Sequence, residues 1–282
     1  MGLSVNTNIA ALNAYRNLSN TQNDLSKSLE KLSSGFRINR AADDAAGLAI
    51  SEGMRSQIGG IKVGIRNAQD GISVVQTAEG ALNETTSILQ RMRDLTVQAG
   101  NLGSLTDEAK GNIQSEIDAL TTTLDDIASN TKFNGKALLD GSFAVTGMTF
   151  QVGANNGETV DVTIGDMTAT TLGVDGGTLT GISSTTTAAQ ISTNLTAIDD
   201  AIKSVSTQRA ELGAKQNQFE RVINNASVAL ENVTASESRI RDTDMAAEMV
   251  SFTRSQILSQ AGTAMLAQAK SLPQGVLQLL QG

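Results

Sequence analysis

The stretch 33-SSGFRINRAADDAAGLAI-50 holds the residue types best suited to chemistry, with Arg37 and Arg40 beside the adjacent carboxylates Asp43 and Asp44. Two carboxyl groups can divide acid and base roles when they converge on one substrate atom. Neighbouring side chains on a helix diverge by ~100°, so this pair does not converge. The chain contains no histidine and no cysteine. Ser-His and Cys-His pairs, HExxH and the usual zinc ligand sets are therefore unavailable. The glycine-bearing segment 59-GGIKVG-64 lacks the strand-turn-helix context and the Lys-Ser/Thr of a phosphate loop. No catalytic, cofactor-binding or metal-binding residue is assigned, and no enzyme activity is expected.

A second Arg/Asp segment, 239-RIRDTDMAAEMV-250, supplies Arg239, Arg241, Asp242 and Asp244. Both segments lie where a helical apolar pattern loses phase, which makes them two sides of a joint. Gly35 is placed to end one helix, and Asp43-Asp44 to begin the next, where carboxylates favour a helix amino terminus. The four arginines (Arg37, Arg40, Arg239, Arg241) are expected to meet the four aspartates (Asp43, Asp44, Asp242, Asp244), within one subunit or across two.

The elements around the joint are read from periodicity. Val5, Ile9, Leu12, Leu18, Leu25, Leu29 and Leu32 form a narrow amphipathic stripe. A stricter alternation of three and four then runs through Ile58, Ile61, Ile65, Ala68, Ile72, Val75, Glu79, Leu82, Thr86 and Leu89, a coiled-coil pattern. After the short loop GNLGS a third helix carries Ile113, Ile117, Leu120, Leu124 and Ile127, antiparallel to the second. In the second half one pattern runs from Ile191 through Leu195, Ile198, Ile202, Val205, Arg209, Leu212, Gln216 and Phe219 to Ile240. About fifty residues in register predict a helical rod of roughly 75 Å. The pattern resumes, shifted, at Met245, Met249 and Phe252.

Between these halves, 143-FAVTGMTFQVGANNGETVDVTIGD-166 alternates apolar and polar residues around GANNGET, a β-hairpin signal. The Thr- and Gly-rich run to 187 reads as exposed turns and short strands. The fold class is mainly α: a long coiled-coil rod formed by both halves, with a small β-hairpin region in the middle. Residues 1–33 and 251–282 are terminal helices, 34–50 and 239–250 the joint, 51–130 and 187–238 the rod, and 131–186 the hairpin and turn region.

Composition agrees. Apolar residues make up 39% but aromatics only 2%, with no tryptophan, which suits long packed helices better than a compact globule. The sole proline is Pro273, so nothing interrupts a helix until near the end. A net charge of -8 argues against a nucleic-acid partner. No run approaches the ~20 apolar residues of a membrane span, so no membrane partner is expected. The first residues lack the basic and apolar regions of a cleavable secretory signal. The segment 255–282 has one charged residue, Lys270, and an apolar stripe continuing through Leu277 and Leu280. Such a helix cannot bury its stripe alone, and repeated contact between identical copies would yield an open helical filament.

The stretches 5-VNTNIAALNAYRNL-18, 32-LSSGFRINRAADDAAGLAISEGMR-55, 69-QDGISVVQTAEGALNE-84, 89-LQRMRDLTVQAGN-101, 236-SESRIRDTDMAAEMVSFTRSQILSQAGTAMLAQA-269 and 273-PQGVLQLL-280 resemble those of bacterial flagellins. The resemblance implies a structural subunit that polymerises into the flagellar filament, serves swimming motility and is exported unfolded by the flagellar type III pathway to an extracellular site. A hook-filament junction protein is the nearest alternative in layout, and a cytoplasmic signalling coiled coil shares the heptads. The resemblance implies inner-core packing by Ile9, Leu12, Leu25, Leu29, Leu32, Phe252, Ile257, Met265, Leu277 and Leu280. The middle is too short for the separate outer domains of longer flagellins. The implied partners are further copies of the chain, an export chaperone on the terminal helix, and hook and cap proteins. The segment 90-QRMRDLTVQ-98 is similar to the surface sensed by a host toll-like receptor, which would carry Gln90, Arg91 and Leu95 over, with Glu116 in the next helix. Packing between subunits is the stronger reason for those residues.

Overall fold

A computed structural model describes residues 8–179, 181–183 and 185–281, with side chains described through residue 271. Helices α1 (Ile9–Ser34), α2 (Ala45–Ala99) and α3 (Asp107–Asn130) are followed by strands β1 (Lys132–Phe133), β2 (Lys136–Ala137), β3 (Met148–Gln151) and β4 (Thr159–Val162). A one-turn helix α4 (Ala169–Leu172) and the long helices α5 (Ala188–Arg241) and α6 (Met245–Gln281) complete the chain. The strands form two separate antiparallel pairs, β1 with β2 and β3 with β4. No described helix is long and apolar enough to cross a membrane. The chain divides into two compact units, residues 58–230 and residues 1–57 with 231–282.

The 58–230 unit holds the contiguous hydrophobic core. In it α2 and α5 run antiparallel: Arg93 pairs with Asp199 at 2.7 Å, and Arg209 lies 3.9 Å from Glu79. The loop after α2 turns α3 back along it, and Arg91 meets Glu116 at 2.6 Å.

On α5 the fully inward positions are Ile191, Ile198, Val205, Leu212 and Phe219, one every seven residues, with Asn194, Ala201 and Gln208 between them. That is a heptad seam with its second position one residue earlier than the sequence pattern indicates. Leu195, Ile202, Arg209 and Gln216 flank the seam and are half-buried. On α2 the buried set widens to include Val74, Ala78, Thr85 and Met92. The stripe expected for one partner is too narrow, because α2 packs against α5, α3 and the β region together.

The hairpin β3–β4 sits close on α2. A side chain at Gly64 would meet the Val152 carbonyl oxygen at 2.5 Å, so only glycine permits the approach. Asn67 Nδ2 donates to the Gln151 carbonyl at 2.8 Å. From α5 the buried Gln208 accepts from the Gly165 N–H at 3.0 Å and donates to the Thr163 carbonyl at 3.2 Å, tying the strand end to the helix. Phe150 of β3 meets Phe219 of α5 edge to face, centroids 5.6 Å apart.

The run after the hairpin departs from expectation. Met167, Ala169, Leu172, Val174, Leu179 and Ile182 are buried in the core, so this stretch is not an exposed series of turns. Its few apolar side chains nearly all face inward, and α3 supplies partners for its backbone. Asp125 Oδ1 accepts from the Ala169 N–H at 2.8 Å, and Gln114 Oε1 from the Ile182 N–H at 2.6 Å. Such acceptors offset the cost of burying irregular backbone.

Candidate assembly surface and joint

The unit of residues 1–57 and 231–282 is built from α1, α6, the start of α2 and the end of α5. Asn8 caps α1, its side chain accepting from the Ala11 N–H at 3.0 Å and donating to the Ala269 carbonyl at 2.7 Å. On α1 the buried or half-buried residues Ala11, Ala14, Leu18, Thr21, Leu25, Ser28 and Leu32 alternate by three and four. On α6 Glu248, Phe252, Ser255, Ser259, Gly262, Leu266 and Ala269 do the same. These two stripes face each other: α1 packs against α6, and Leu18 lies over Gly262, where an added Cβ would be 3.2 Å from its Cδ1. Much of this seam is small or polar, so it removes little apolar surface from water.

Many large apolar residues of the unit lie outside the seam. Ile9 is 66% exposed, Leu12 60%, Ile257 60% and Met265 64%, and Leu29 is also exposed. Along α6, Val250 and Ile257 stand opposite the seam with Met249, Leu258 and Met265 exposed on its flanks, and Met249, Val250, Thr253, Arg254, Ile257 and Leu258 line an apolar groove on that outer side. Among the described residues the unit's buried hydrophobics are only Leu18, Ile38 and Ala269.

The ten residues expected in inner-core packing thus divide. Leu25, Leu32 and Phe252 are half-buried in the seam within the chain, whereas Ile9, Leu12, Leu29, Ile257 and Met265 are exposed. Leu277 and Leu280 lie within α6, but their side chains fall outside the described residues.

The joint forms where both phase breaks occur. Helix α1 ends at Gly35, whose φ of 78° is the left-handed cap and whose N–H bonds the Lys31 carbonyl. The two crossings then pair through main chain: the Arg37 N–H donates to the Arg241 carbonyl at 2.7 Å, the Thr243 N–H to the Gly35 carbonyl at 3.0 Å, and Phe36 bridges Asp242 antiparallel. Ile38, the one large aliphatic residue between Phe36 and Leu48, is fully buried beside Gly47.

Within the single chain the charged residues of the joint do not pair with one another. None of the four arginines makes an ion pair with Asp43, Asp44, Asp242 or Asp244 among the described residues. The aspartates serve backbone instead. Asp44 Oδ1 caps α2 by accepting from Gly47 at 2.8 Å, and Asp244 Oδ1 caps α6 by accepting from Ala246 and Ala247 at 2.9 and 3.2 Å. Asp43 Oδ2 accepts from the N–H groups of Arg40 and Asn39 at 3.0 and 3.2 Å, and Asp242 accepts from the Ser238 hydroxyl at 2.6 Å.

The arginines find other acceptors. Arg40 pairs with Glu30 at 2.8 Å, Arg37 donates to the Ile240 carbonyl, and Arg239 donates to the Ser236 hydroxyl. Arg241 donates to Glu52 and holds its guanidinium 5.0 Å from the centroid of the Phe36 ring. The sequence pattern does not single out Glu30, Glu52, Phe36 or Ile38. Glu30 and Glu52 stand outside the charge clusters, and only the isolated apolar Ile38 carries a signal.

Two joint carboxyls titrate below their ordinary range. The backbone N–H groups of Arg40 and then Asn39 lower Asp43, and the hydrogen bond from Arg241 lowers Glu52. A carboxyl lowered by folding stabilises the folded joint at pH above its unfolded value and loses that contribution as pH falls through its lowered value. Replacing Arg241 by Ala removes the Glu52 partner and the Phe36 contact together. We expect amide exchange at Arg37 and Thr243 to quicken several-fold, with protection in the 58–230 unit unchanged, as measured by hydrogen-exchange mass spectrometry. Exchange that stays at the native rate would show that the main-chain bridge needs no help from Arg241.

The exposed Arg91–Glu116 pair joins α2 to α3, and Gln90 is exposed beside it. Leu95 differs: it is 2% exposed and packs in the core, so it is not part of that surface.

A helical chain whose terminal helices bury little and expose large apolar side chains has the form of a self-associating structural protein. Residues 5–144 match the family model of the bacterial flagellin N-terminal helical region and residues 195–280 that of the C-terminal helical region; the chain belongs to the bacterial flagellin family. It is 50% identical to a flagellin of Bacillus subtilis (strain 168), covering 99% of this chain and all of the relative. It is 47% identical to a flagellar filament 33 kDa core protein of Treponema phagedenis, over 98% of this chain and 99% of the relative. A crystal structure of Bacillus cereus flagellin is 32% identical with a TM-score of 0.49, covering 57% of this chain and 88% of that one. The chain is a structural subunit of the flagellar filament and not an enzyme.

Proposed function

We propose that polymerisation proceeds by packing the outward apolar faces of α1 and α6 against the same helices of other copies. The observation that carries this reading is the division of labour on α6: one face is filled by α1, and the rest of the helix surface presents Val250 and Ile257 opposite that face, and Met249, Leu258 and Met265 on its flanks, to water. An exposed apolar face of this extent marks an interaction surface, and identical copies supply its complement in an open helical array. Leu277 and Leu280 extend the surface in this reading, and the joint residues set the path of the chain between the terminal helices and the long ones.

The same apolar face must be shielded before assembly. An export chaperone on α6, passage through the flagellar type III pathway and an extracellular final position follow from family membership as parts of the proposal, as do contacts with hook and cap proteins at the filament ends. In the same proposal Gln90, Arg91 and Glu116 form a docking surface for a host toll-like receptor on the free subunit, with Leu95 acting beneath it by holding α2 in place. The test is sedimentation of purified subunit with and without short filament seeds. Seeds should convert it into long helical polymers; an intact subunit that stays in the supernatant at every concentration would refute the reading.

A further inference from the structure

We propose that Asn156 is a site of spontaneous amide-to-acid conversion, with water as the only co-reactant. Two Asn-Gly dipeptides occur in the chain, Asn134-Gly135 and Asn156-Gly157. At such a sequence the glycine N–H nitrogen can attack the Asn side-chain carbonyl carbon, because no Cβ on the glycine hinders the approach. A bond forms between the glycine nitrogen and Asn Cγ, the bond from Cγ to Nδ2 breaks, and the departing nitrogen carries the amide proton away as ammonia. Water then opens the five-membered imide at either carbonyl, leaving aspartate or its isomer with the main chain routed through the side chain. Nothing is oxidised or reduced.

The two sites differ in backbone freedom. Asn134 and Gly135 are the central residues of a two-residue turn, both left-handed at φ 49° and 79°, set directly between the paired Phe133 and Lys136. This is the tight hairpin geometry, and rotating the peptide plane between them would break the pair that flanks it. Asn156 and Gly157 sit in a longer loop that closes where the Val152 N–H meets the Glu158 carbonyl at 2.9 Å. Both are exposed, and among the described residues neither the Asn156 amide nor the Gly157 N–H has a hydrogen-bond partner.

The surrounding loop is anchored. Glu158 accepts from the Asn155 N–H at 2.9 Å and from its side-chain amide at 3.0 Å, and Gln151 Nε2 donates to the carbonyls of Gly153 and Asn155 at 3.0 and 2.7 Å. Within this frame Gly157 is left-handed at φ 85° and its carbonyl accepts from the Thr159 N–H at 3.0 Å, so what sets the pair apart from Asn134-Gly135 is the longer loop, in which the peptide plane between Asn156 and Gly157 is not flanked on both sides by a strand pair. Conversion places a carboxylate beside Glu158, and the isomer lengthens the backbone two residues from Ala154. The Ala154 methyl fills the space over Gly60 of α2, where an added Cβ would lie 2.7 Å away. Slow conversion thus alters the loop where it seats on the helix.

The test uses the full chain, held folded in mildly alkaline buffer and sampled by peptide mapping that separates aspartate from its isomer. In the folded protein Asn156 should convert about tenfold faster than Asn134, the ratio given by ~1.4 kcal/mol of local opening free energy. In urea the two should converge, and Asn156→Gln should abolish the charge change assigned to that site. Equal rates in the folded chain would overturn the proposal. So would an Asn156 that stays unreacted for as long as the unfolded chain takes to convert.

Discussion

Removing residues 255–282 abolishes seeded polymerisation and leaves a soluble protein in which the 58–230 unit is still folded. The cut deletes the α6 half of the seam from Ser255 onward, together with Ile257, Leu258 and Met265. The buried core cluster lies wholly within residues 68–219 and loses no member. Truncation alone also uncovers the inner face of α1, so a second variant separates the faces. Ile257→Glu changes a side chain that is already 60% exposed in the single chain, and helicity and melting should be preserved. In a polymer it would place a carboxylate where burial of an aliphatic side chain otherwise contributes about 1.5–3 kcal/mol per copy, and assembly should fail. Sedimentation and electron microscopy with native seeds read the result. Polymers of normal length from Ile257→Glu would show that the outer face of α6 is not a subunit contact.

Phe219→Ala is the substitution expected to cost the single chain most. The ring is fully buried, stands edge to face with Phe150, and closes over Gly71, where an added Cβ would be 2.6 Å from the ring. It is the largest fully buried side chain among the described residues and the last inward position of the α5 heptad seam. Its loss should cost ~3–5 kcal/mol and lower the melting temperature by on the order of 10 °C for a unit of this size. The gap lies between a helix, the facing helix and the hairpin, three elements that cannot all close on it. Thermal unfolding followed by circular dichroism checks the magnitude. A cost under about 1 kcal/mol would mean that the site collapses freely.

The layout is legible because it rests on periodicity, which the sequence states directly. Helix breaks at 35–44 and 242–244 fall within the segments where the apolar phase is lost, and the hairpin turns at GANNGET. Finer features escape for separate reasons. A three-four alternation does not say which of two neighbouring residues is inward, so the pattern assigns to Arg209 the seam position that Gln208 occupies. Burial of Met167 through Ile182 depends on Asp125 and Gln114 of α3 accepting its main-chain N–H groups, contacts far apart in sequence. Clustered Arg and Asp suggest ion pairs; helix starts claim Asp44 and Asp244 for backbone N–H groups that would otherwise lack partners. On the termini one merged stripe conceals two faces, since Leu25 and Leu32 point to α6 while Ile9 and Leu29 do not.

The main-chain bridge at Phe36 and Asp242 has a mechanical meaning. The two crossings of the joint are linked to each other by backbone bonds of Arg37 and Thr243. The two crossings are therefore tied to each other as well as each to its own helix. The linking groups belong to the main chain, and the Arg241 side chain reinforces them through Glu52 and Phe36 without itself forming the link. In a filament subunit, a pull along either strand of such a connection would load its cross-links in shear.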